Sequence, residues 1–233
     1  MNSAIIVAAG SGSRMASDRP KQFLLLAGIP LIFHTLRPFE RCDSIDETIL
    51  VLPPESAAEF LDSAAKFGVK KVTRVVPGGA TRAESVKRGL SAIRAASAGI
   101  VAIHDGVRPF VSPDEISETI EAAEQCGAAI LVAPATDTIK QVFDDQVVKT
   151  LDRRELRRAL TPQCFKYELL MRAFAQADVT DPTLTDDSAL VEQTGAHVAI
   201  VEGSARNIKI TTPEDLAVAE SLFKSGLWSG LWP

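Results

Sequence analysis

The chain has 233 residues, of which 46% are hydrophobic and 24% are charged, and its formal net charge is −5 at pH 7. This balance is typical of an ordinary globular protein, with one large α/β domain or two small ones, and it argues against a nucleic-acid-binding surface. No apolar run approaches the roughly 18 residues that a membrane span needs, so we expect no membrane partner.

The first predicted element is a buried strand in the apolar run that begins at Ala4 and is rich in β-branched residues. The run breaks into small residues around Gly10 and Gly12, where the amides of a glycine loop can turn together toward an anion. Arg14 and Lys21 add fixed positive charge, the first as a planar fork and the second as a point charge. A strand, a glycine loop and two cations together predict a phosphate site.

The spacing of these residues narrows the kind of phosphate site. A Walker loop requires a glycine, four further residues and then Gly-Lys-Ser/Thr. A dinucleotide fingerprint requires a third glycine where this chain has Arg14 or Met15. Both patterns are absent. The segment from Ala8 to Met15, followed by Pro20-Lys21-Gln22, resembles the signature of nucleotidyltransferases that join an NTP to a sugar or alcohol phosphate. A plain glycine turn between a strand and a helix would explain the two glycines but not the two cations.

The elements that follow alternate between strands and helices, and Pro and Gly residues separate them. Such a series predicts a parallel sheet whose ligands bind beyond the carboxyl ends of the strands, where the glycine turns lie. The expected strands cover residues 48–52, 71–76, 99–104 and 127–134, and the expected helices cover residues 30–41, 53–67 and 82–96, with one more after a capping box at 112–115.

A second glycine turn precedes the helix that is expected to begin near Arg82. With the first turn near the triphosphate, the second is free to frame the base. Arg82 and Ser85 lie one helical turn apart, so both can face one ligand. A plain helix start with a solvated arginine explains the same residues equally well.

Asp105 directly follows the fourth expected strand, at its carboxyl end and beside the expected phosphate site. Mg²⁺ typically takes one or two protein carboxylates and completes its shell with phosphate and water, so we expect Asp105 to hold it. A turn-forming Asp before Gly106 is the alternative interpretation. His104 is expected in the core or behind the site rather than on a metal.

The pattern changes after the fifth strand. Apolar residues alternate on both sides of a polar turn at 144–146, which predicts a β-hairpin instead of another strand–helix unit. Two strands alone are marginal in water, so we expect this arm, about residues 136–153, to pair with a second copy of the chain. Four arginines between Arg153 and Arg158 follow, most of them expected on a solvated face.

Beyond the arm, the chain is expected to return to the core at residues 161–165. Helices are expected at 166–177 and 185–194, strands at 197–202 and 205–211, and a last helix from a capping box at 212–215 to about residue 224. These elements predict a single domain over residues 1–224 and a flexible tail over residues 225–233.

The cysteines and histidines suggest neither a disulfide framework nor a zinc site. Cys42, Cys126 and Cys164 lie far apart in the sequence, and the three histidines are equally scattered. The predicted strand follows Met1 almost at once without a basic segment, so we expect no signal or transit peptide. We therefore expect reduced thiols in a cytoplasmic protein.

Along nearly its whole length the chain resembles one family, the 2-C-methyl-D-erythritol 4-phosphate cytidylyltransferases of the non-mevalonate isoprenoid pathway. The order and spacing of the matching segments carry this resemblance better than any single segment does. They cover residues 8–15, 20–22, 79–85, 104–109, 137–140, 152–153, 160–163, 185–186, 207–211 and 213–215.

The resemblance implies an α/β, Rossmann-like nucleotidyltransferase fold: a twisted, mostly parallel sheet flanked by helices, with a protruding β-hairpin arm. It also implies the activity. The substrate phosphate would attack the α-phosphate of CTP in line, giving 4-diphosphocytidyl-2-C-methyl-D-erythritol and pyrophosphate. Mg²⁺ would be the cofactor, and the arm would complete the site of the partner in a homodimer.

The resemblance assigns roles to individual residues. Arg14 and Lys21 would stabilise charge on the α-phosphate, while Arg153 and Lys209 would position the methylerythritol phosphate. The CTP contacts would be Ala8, Ala9, Gly10, Ser11, Gly12, Ser13, Gly79, Arg82 and Ser85; the other substrate contacts would be Thr138, Arg108 and Thr185; Asp105 would help hold the metal. Ala80 departs from the pattern, because some members carry an Asp there.

Two alternatives remain open. A ribitol 5-phosphate cytidylyltransferase has a similar loop, but Lys140 and the pair Asp152-Arg153 look more like the methylerythritol enzyme. A non-catalytic nucleotide-binding module would keep the loop without turnover, and the joint presence of Arg14, Lys21, Asp105 and Lys209 argues against it. A nicotinamide oxidoreductase does not fit because the third glycine is missing.

Overall fold

The computed structural model describes residues 1–10, 12, 15, 19–181, 183–184 and 186–226. Their strands are β1 (Ser3–Val7), β2 (Leu25–Leu26), β3 (Ile29–Pro30), β4 (Glu47–Leu52), β5 (Val72–Pro77), β6 (Ile100–Asp105), β7 (Ala128–Pro134), β8 (Lys140–Phe143), β9 (Gln146–Thr150), β10 (Arg157–Lys166) and β11 (Ala199–Glu202). Seven of them form one sheet in the order β11-β7-β10-β6-β1-β4-β5. All of its strands run parallel except β10, so the expectation of a mostly parallel sheet is confirmed.

Helices cover both faces of this sheet. They are α1 (Leu31–Arg41), α2 (Ala57–Ala64), α3 (Arg82–Ser91), α4 (Pro113–Cys126), α5 (Tyr167–Gln176), α6 (Asp187–Gln193) and α7 (Pro213–Lys224). Alternate residues of a strand face opposite sides of a sheet. Ile6 of β1 therefore packs in the core that holds α1, α2 and α4, while Ile5 packs in the core that holds α3, α5 and α6. No helix of the described chain combines the length and the apolar character that a membrane span requires.

Two helix starts follow the expected side-chain chemistry. Ser112 Oγ accepts the Glu115 N–H at 3.1 Å, and the Glu115 carboxylate accepts the Ser112 N–H at 2.8 Å. Thr212 and Asp215 form the same reciprocal pair at the start of α7. Both capping boxes are confirmed, and each satisfies N–H groups that a helix start leaves without partners.

The sequence does not reveal the antiparallel strand β10. The chain does return to the core where expected, but it does so as a ten-residue strand that begins at Arg157, in a stretch expected to be a solvated face. Pro162 hides this strand, because a proline usually marks an edge strand or a bulge. The register against β7 shifts between Ala159 and Gln163, so the proline lies in an irregularity of the ladder.

The β-hairpin is confirmed as β8 and β9. Asp144 and Asp145 connect the strands with φ values of 49° and 58°, and two left-handed residues are the mark of a type I′ turn. Every residue of both strands is exposed. The hairpin forms a sheet of its own.

Three expected elements differ from the structure. Helix α2 begins only after a 3₁₀ turn at Pro54–Ser56 and ends at Ala64, and α3 ends at Ser91, five residues before the expected end. Residues 205–211 form no strand; the Ile210 N–H donates to the Val107 carbonyl at 2.9 Å, but no ladder continues from it. The expected tail lies outside the described residues from 227 onward.

Candidate active site

A cavity of about 410 Å³ opens at the carboxyl ends of β1, β5 and β6. This is the edge where a parallel sheet binds ligands. The cavity brings together residues from both expected glycine turns, one cation next to the first turn, the acidic end of β6 and one residue near the C-terminus. Its lining residues are Val7, Ala9, Gly10, Lys21, Gly79, Ala80, Thr81, Arg82, Ser85, Asp105, Val107 and Lys209.

The first glycine turn is packed between two other strand ends. A Cβ built at Gly106 would lie 2.5 Å from the Cβ of Ala8, and one built at Gly78 would lie 2.1 Å from the Cβ of Ala9. Only glycine allows this close approach. The Ala8 N–H already donates to the Val51 carbonyl at 2.8 Å, so Ala8 shapes the loop instead of offering its amide to a ligand.

Lys21 lies along the first glycine turn. A Cβ built at Gly12, whose φ of +67° is left-handed, would lie 3.2–3.4 Å from the aliphatic carbons of Lys21. A Cβ built at Gly10 would lie 3.5 Å from Lys21 Nζ. The expected cation thus stands beside the loop amides. Ser11, Ser13 and Arg14 lie outside the described residues.

The second glycine turn is held by the start of α3. Ser85 Oγ accepts the Gly79 N–H at 3.0 Å and donates to the Thr81 carbonyl at 2.9 Å. Glu84, which was not identified from the sequence, accepts the Ala80 N–H at 2.6 Å, and Thr81 caps the helix by accepting the Glu84 N–H at 3.0 Å. The Thr-x-x-Glu spacing of a capping box was the available signal. Arg82 and Ser85 do face one cavity, but the Ser85 hydroxyl supports the turn.

Asp105 is surrounded by three cations. Its Oδ1 lies 3.3 Å from Arg82 Nε, and its Oδ2 lies 3.0 Å from Arg108 Nε and 3.1 Å from Lys209 Nζ. Burial alone would raise the pKa of this carboxyl, but the three positive charges outweigh burial and hold the pKa far below its usual range. The three cations therefore favour the ionised form of Asp105.

A buried hydrogen-bond network holds the backbone of Asp105 in place. The Asp105 N–H donates to Thr161 Oγ1 at 3.2 Å, and this hydroxyl lies 2.9 Å from His104 Nδ1. Burial lowers the pKa of His104 to about 4, so the ring is neutral. Its Nε2 must then donate to the Arg108 carbonyl at 3.0 Å, while its Nδ1 accepts the Thr161 hydroxyl proton. As expected, His104 is a buried residue behind the site.

Asn207 joins this network to the segment that carries Lys209. Its Nδ2 donates to the Thr161 carbonyl at 2.8 Å, and its own carbonyl accepts Arg108 Nη1 at 2.8 Å. Arg108, expected on the substrate, thus braces Asp105 and Asn207 and does not line the cavity. Thr161 and Asn207 were not identified from the sequence as parts of the site, because they lie on segments 46 positions apart in the chain.

The arm residues lie apart from the cavity of their own chain. Arg153 Nη1 donates to the Thr136 carbonyl at 2.7 Å on the exposed arm, and Thr138 is exposed as well. Neither side chain lines the cavity, whereas Lys209 does. Thr185 lies outside the described residues.

The donor set around Asp105 allows only a limited metal site. Within the described ranges, no group of three His, Cys, Asp or Glu side chains gathers as a metal cluster. A single carboxylate fits Mg²⁺ that arrives with a triphosphate, because phosphate oxygens and water can complete its shell. Such an ion would compete with Arg82, Arg108 and Lys209 for the two oxygens of Asp105.

Comparisons with known proteins identify the family of the chain. The family model described as 2-C-methyl-D-erythritol 4-phosphate cytidylyltransferase matches residues 2–225. A protein of that name from Pelotomaculum thermopropionicum is 44% identical over 224 residues, which are 95% of this chain and 94% of the relative. Another from Bacillus cytotoxicus is 41% identical over 95% of this chain and 97% of its own length.

Solved structures give the same result. The crystal structure of 4-diphosphocytidyl-2C-methyl-D-erythritol synthase from Anaerococcus prevotii superposes with a TM-score of 0.84 at 34% identity, covering 96% of both chains. The 2-C-methyl-D-erythritol 4-phosphate cytidylyltransferase from Thermus thermophilus gives 0.76 at 34% identity, covering 94% of this chain and 98% of its own. The chain belongs to the 2-C-methyl-D-erythritol 4-phosphate cytidylyltransferase family.

Proposed function

We propose that this chain transfers CMP from CTP to 2-C-methyl-D-erythritol 4-phosphate and releases pyrophosphate. Membership of the cytidylyltransferase family over residues 2–225 is the observation that carries this function. The cavity supports it, because Lys21, Asp105 and Lys209 share its wall. The product would be 4-diphosphocytidyl-2-C-methyl-D-erythritol.

The reaction needs no general base from the protein. A phosphate monoester has a second pKa of about 6, so it is largely ionised at neutral pH. One of its oxygens attacks the α-phosphorus of CTP, a new P–O bond forms, and the bond to the β-phosphate oxygen breaks as pyrophosphate leaves. Both ring nitrogens of His104 are already hydrogen-bonded, which fits a site that works by positioning and electrostatic stabilisation.

Two cations carry the electrostatic part of this proposal. Lys21, which lies beside Gly10, is proposed to stabilise the negative charge that builds on the α-phosphate. Lys209, which lies beside Asp105, is proposed to hold the attacking phosphate. Arg14 is proposed to assist Lys21, as the family resemblance implies.

Magnesium is the proposed cofactor, and Asp105 is the residue that would hold it. The ion would neutralise the triphosphate and make pyrophosphate a better leaving group. A carboxylate that stays ionised at the end of a strand suits this role. The three cations around Asp105 supply positive charge to the same place before nucleotide and metal arrive.

The arm is the proposed dimer contact. Val142, Phe143, Val147 and Val148 are 64%, 78%, 62% and 61% exposed on a hairpin of two strands. Apolar side chains exposed side by side favour an interaction surface. With Arg153 and Thr138 on this arm, a second copy would receive them at the cavity that holds its own Lys209.

A cytoplasmic location is proposed on the state of the thiols. Cys42, Cys126 and Cys164 are free cysteines, and two of them are buried. Cytoplasmic reductants keep such thiols unpaired. The substrates of the proposed reaction, a nucleotide and a sugar-alcohol phosphate, agree with this compartment.

Pyrophosphate release tests the function. The purified protein would be mixed with Mg²⁺, 2-C-methyl-D-erythritol 4-phosphate and CTP, UTP, ATP or GTP in separate reactions. Release with CTP alone is the expected result. Release with CTP and ribitol 5-phosphate, but not with the methylerythritol substrate, would replace the substrate assignment. CTP binding without any release would indicate a non-catalytic nucleotide-binding module.

A further inference from the structure

Arg82 bridges two buried carboxylates at the wall of the cavity. Its Nε lies 3.3 Å from Asp105 Oδ1, and its Nη1 lies 2.7 Å from Asp187 Oδ2. The side chain of Arg82 is 19% exposed, so it reaches the cavity, whereas that of Asp187 is only 2% exposed. Asp187 does not line the cavity, and within the described residues its ion pair to the cavity wall is the one with Arg82.

Asp187 is held in place by the elements around it. It is the first residue of α6, whose preceding residue Asp186 caps the helix by accepting the Ser188 N–H at 2.9 Å. Gln163 of β10 accepts the same N–H at 3.1 Å, which ties α6 to the centre of the sheet. Leu190 and Val191 anchor the helix in the core. The Asp187 carboxylate is therefore a fixed point behind Arg82.

The two carboxylates differ in what else they contact. Asp105 has ion pairs with Arg108 and Lys209 as well, while Arg82 is the one ion-pair partner of Asp187 within the described ranges. Burial raises the pKa of Asp187, and Arg82 acts against this shift. Arg82 stays protonated, because Asp187 and Asp105 raise its pKa by more than burial lowers it.

We propose that Asp187 is a positioning residue that holds the Arg82 guanidinium in the cavity wall for CTP binding. The proposal rests on the proposed function, since it deepens the role of Arg82 at the nucleotide site. The Arg82–Asp187 contact is shorter than the Arg82–Asp105 contact. Asp187 therefore keeps Arg82 in position when a ligand binds to Asp105. Without Asp187, Asp105 alone would hold Arg82, and the guanidinium would leave its position in the cavity wall.

A double-variant cycle separates this role from a merely structural one. Asp187→Asn keeps the shape and one acceptor but removes the charge, and Arg82→Ala removes the residue through which Asp187 is proposed to act. In the Arg82→Ala protein, Asp187 would be a buried charge without its partner, which is strongly destabilising. Adding Asp187→Asn to that protein should therefore raise its Tm while leaving CTP affinity unchanged.

Asp186→Asn is the matched control. It removes a carboxylate from the same helix end, and asparagine caps a helix about as well as aspartate. Asp186 makes no ion pair with Arg82 within the described chain. This control should keep the wild-type Kd for CTP, so that any loss in Asp187→Asn is not a general effect of negative charge near α6.

The experiment measures the CTP Kd by calorimetry, the KM for each substrate, kcat and Tm. Asp187→Asn should raise the Kd and KM for CTP about tenfold, with kcat and the KM for the alcohol phosphate near wild type. In the Arg82→Ala background the same change should not weaken CTP binding further. An unchanged CTP Kd in Asp187→Asn, or losses that multiply in the double variant, would overturn the proposal.

Failure of the proposed function would look different. A wild-type protein that binds CTP but releases no pyrophosphate would overturn the activity, while the Kd and Tm cycle would still report on the pair. Wild-type turnover together with a wild-type CTP Kd in Asp187→Asn would overturn the positioning role alone. A Tm that falls further when Asp187→Asn is added to Arg82→Ala would contradict the pairing itself.

Discussion

Lys209 places its ammonium nitrogen 3.1 Å from Oδ2 of Asp105, although the two residues come from distant parts of the chain. Asp105 ends β6, while Lys209 lies on an irregular segment that is fixed by the Ile210–Val107 backbone bond and by Asn207. The residue expected to hold the metal and a residue expected to hold the substrate thus form an ion pair with each other. A metal ion or a phosphate bound at this place would compete with this ion pair.

Replacing Lys21 should slow the chemical step. Lys21→Ala removes the cation beside Gly10, and loss of one preorganised donor typically raises a barrier by about 3–4 kcal/mol. We expect kcat to fall about 10²- to 10³-fold in steady-state pyrophosphate release, with little change in Tm because the side chain lines a cavity. Wild-type kinetics in this variant would contradict the role of Lys21.

Replacing Lys209 should act mainly on the alcohol phosphate. Lys209→Ala removes the cation that faces Asp105, so we expect a raised KM for 2-C-methyl-D-erythritol 4-phosphate and a lower kcat, with a smaller change in the KM for CTP. Lys224→Ala is the matched control, because Lys224 is an exposed lysine whose nearest carboxylate, Glu220, is 3.8 Å away. Equal effects of the two variants would refute the assignment.

The arm predicts complementation between two inactive variants. If Arg153 serves the partner's site, a mixed dimer of Arg153→Ala and Lys21→Ala chains has one site with both residues intact. Random exchange of subunits should then restore about a quarter of the wild-type activity. No recovery, despite mixed dimers seen by native mass spectrometry, would place Arg153 in the site of its own chain.

Exposed apolar side chains should hold that dimer together. Phe143→Ser removes the most exposed large apolar side chain of the arm, so we expect a shift toward monomer in sedimentation velocity. Phe143 lies in a hairpin outside the seven-stranded sheet, so the Tm of the monomer should change little. A wild-type protein that sediments as a monomer at micromolar concentration would exclude the arm contact.

Two buried histidines should make the protein less stable in mild acid. Burial lowers the pKa of both His34 and His104, the latter to about 4, whereas an unfolded histidine titrates near 6.5. Below about pH 6.5 the unfolded chain binds protons that the folded chain does not, so stability falls as the pH drops toward 4. For His104 the loss is at most on the order of 3 kcal/mol.

Urea midpoints at pH 5 and pH 7.5 would measure this effect. His34→Gln should reduce the difference between the two midpoints, because one of the two titrating groups is gone. His197→Gln, at an exposed position, provides the control. A His34→Gln protein with the full wild-type difference would show that the buried ring does not contribute.

Local chemistry made much of the fold predictable. The glycine turns, the two capping boxes and the alternating hairpin each involve residues that are close in sequence, and their elements appear where expected. Strand β10 was missed because Pro162 and a register shift disguise its pattern. Residues 205–211 have an apolar alternation but pair with Val107 through one bond alone.

The site was predictable as a set of residue types but not as a set of contacts. Lys21 and Asp105 follow from their positions next to expected strand ends. The pairing of Arg82 with Asp187 crosses 105 positions of the chain, and that of Asn207 with Thr161 crosses 46. Such partners have no local pattern, so only the packed sheet reveals that Ser85 supports the second glycine turn and that Arg108 braces Asp105 and Asn207 from outside the cavity lining.

Oxygen labelling tests the proposed reaction most directly. The three non-bridging phosphate oxygens of 2-C-methyl-D-erythritol 4-phosphate would carry ¹⁸O. After reaction with CTP and Mg²⁺, mass spectrometry would measure the masses of both products. If the substrate phosphate attacks the α-phosphorus of CTP, all three labels should appear in the diphosphocytidyl product and none in pyrophosphate. Label in pyrophosphate, or loss of label from the alcohol phosphate, would contradict this direction of transfer.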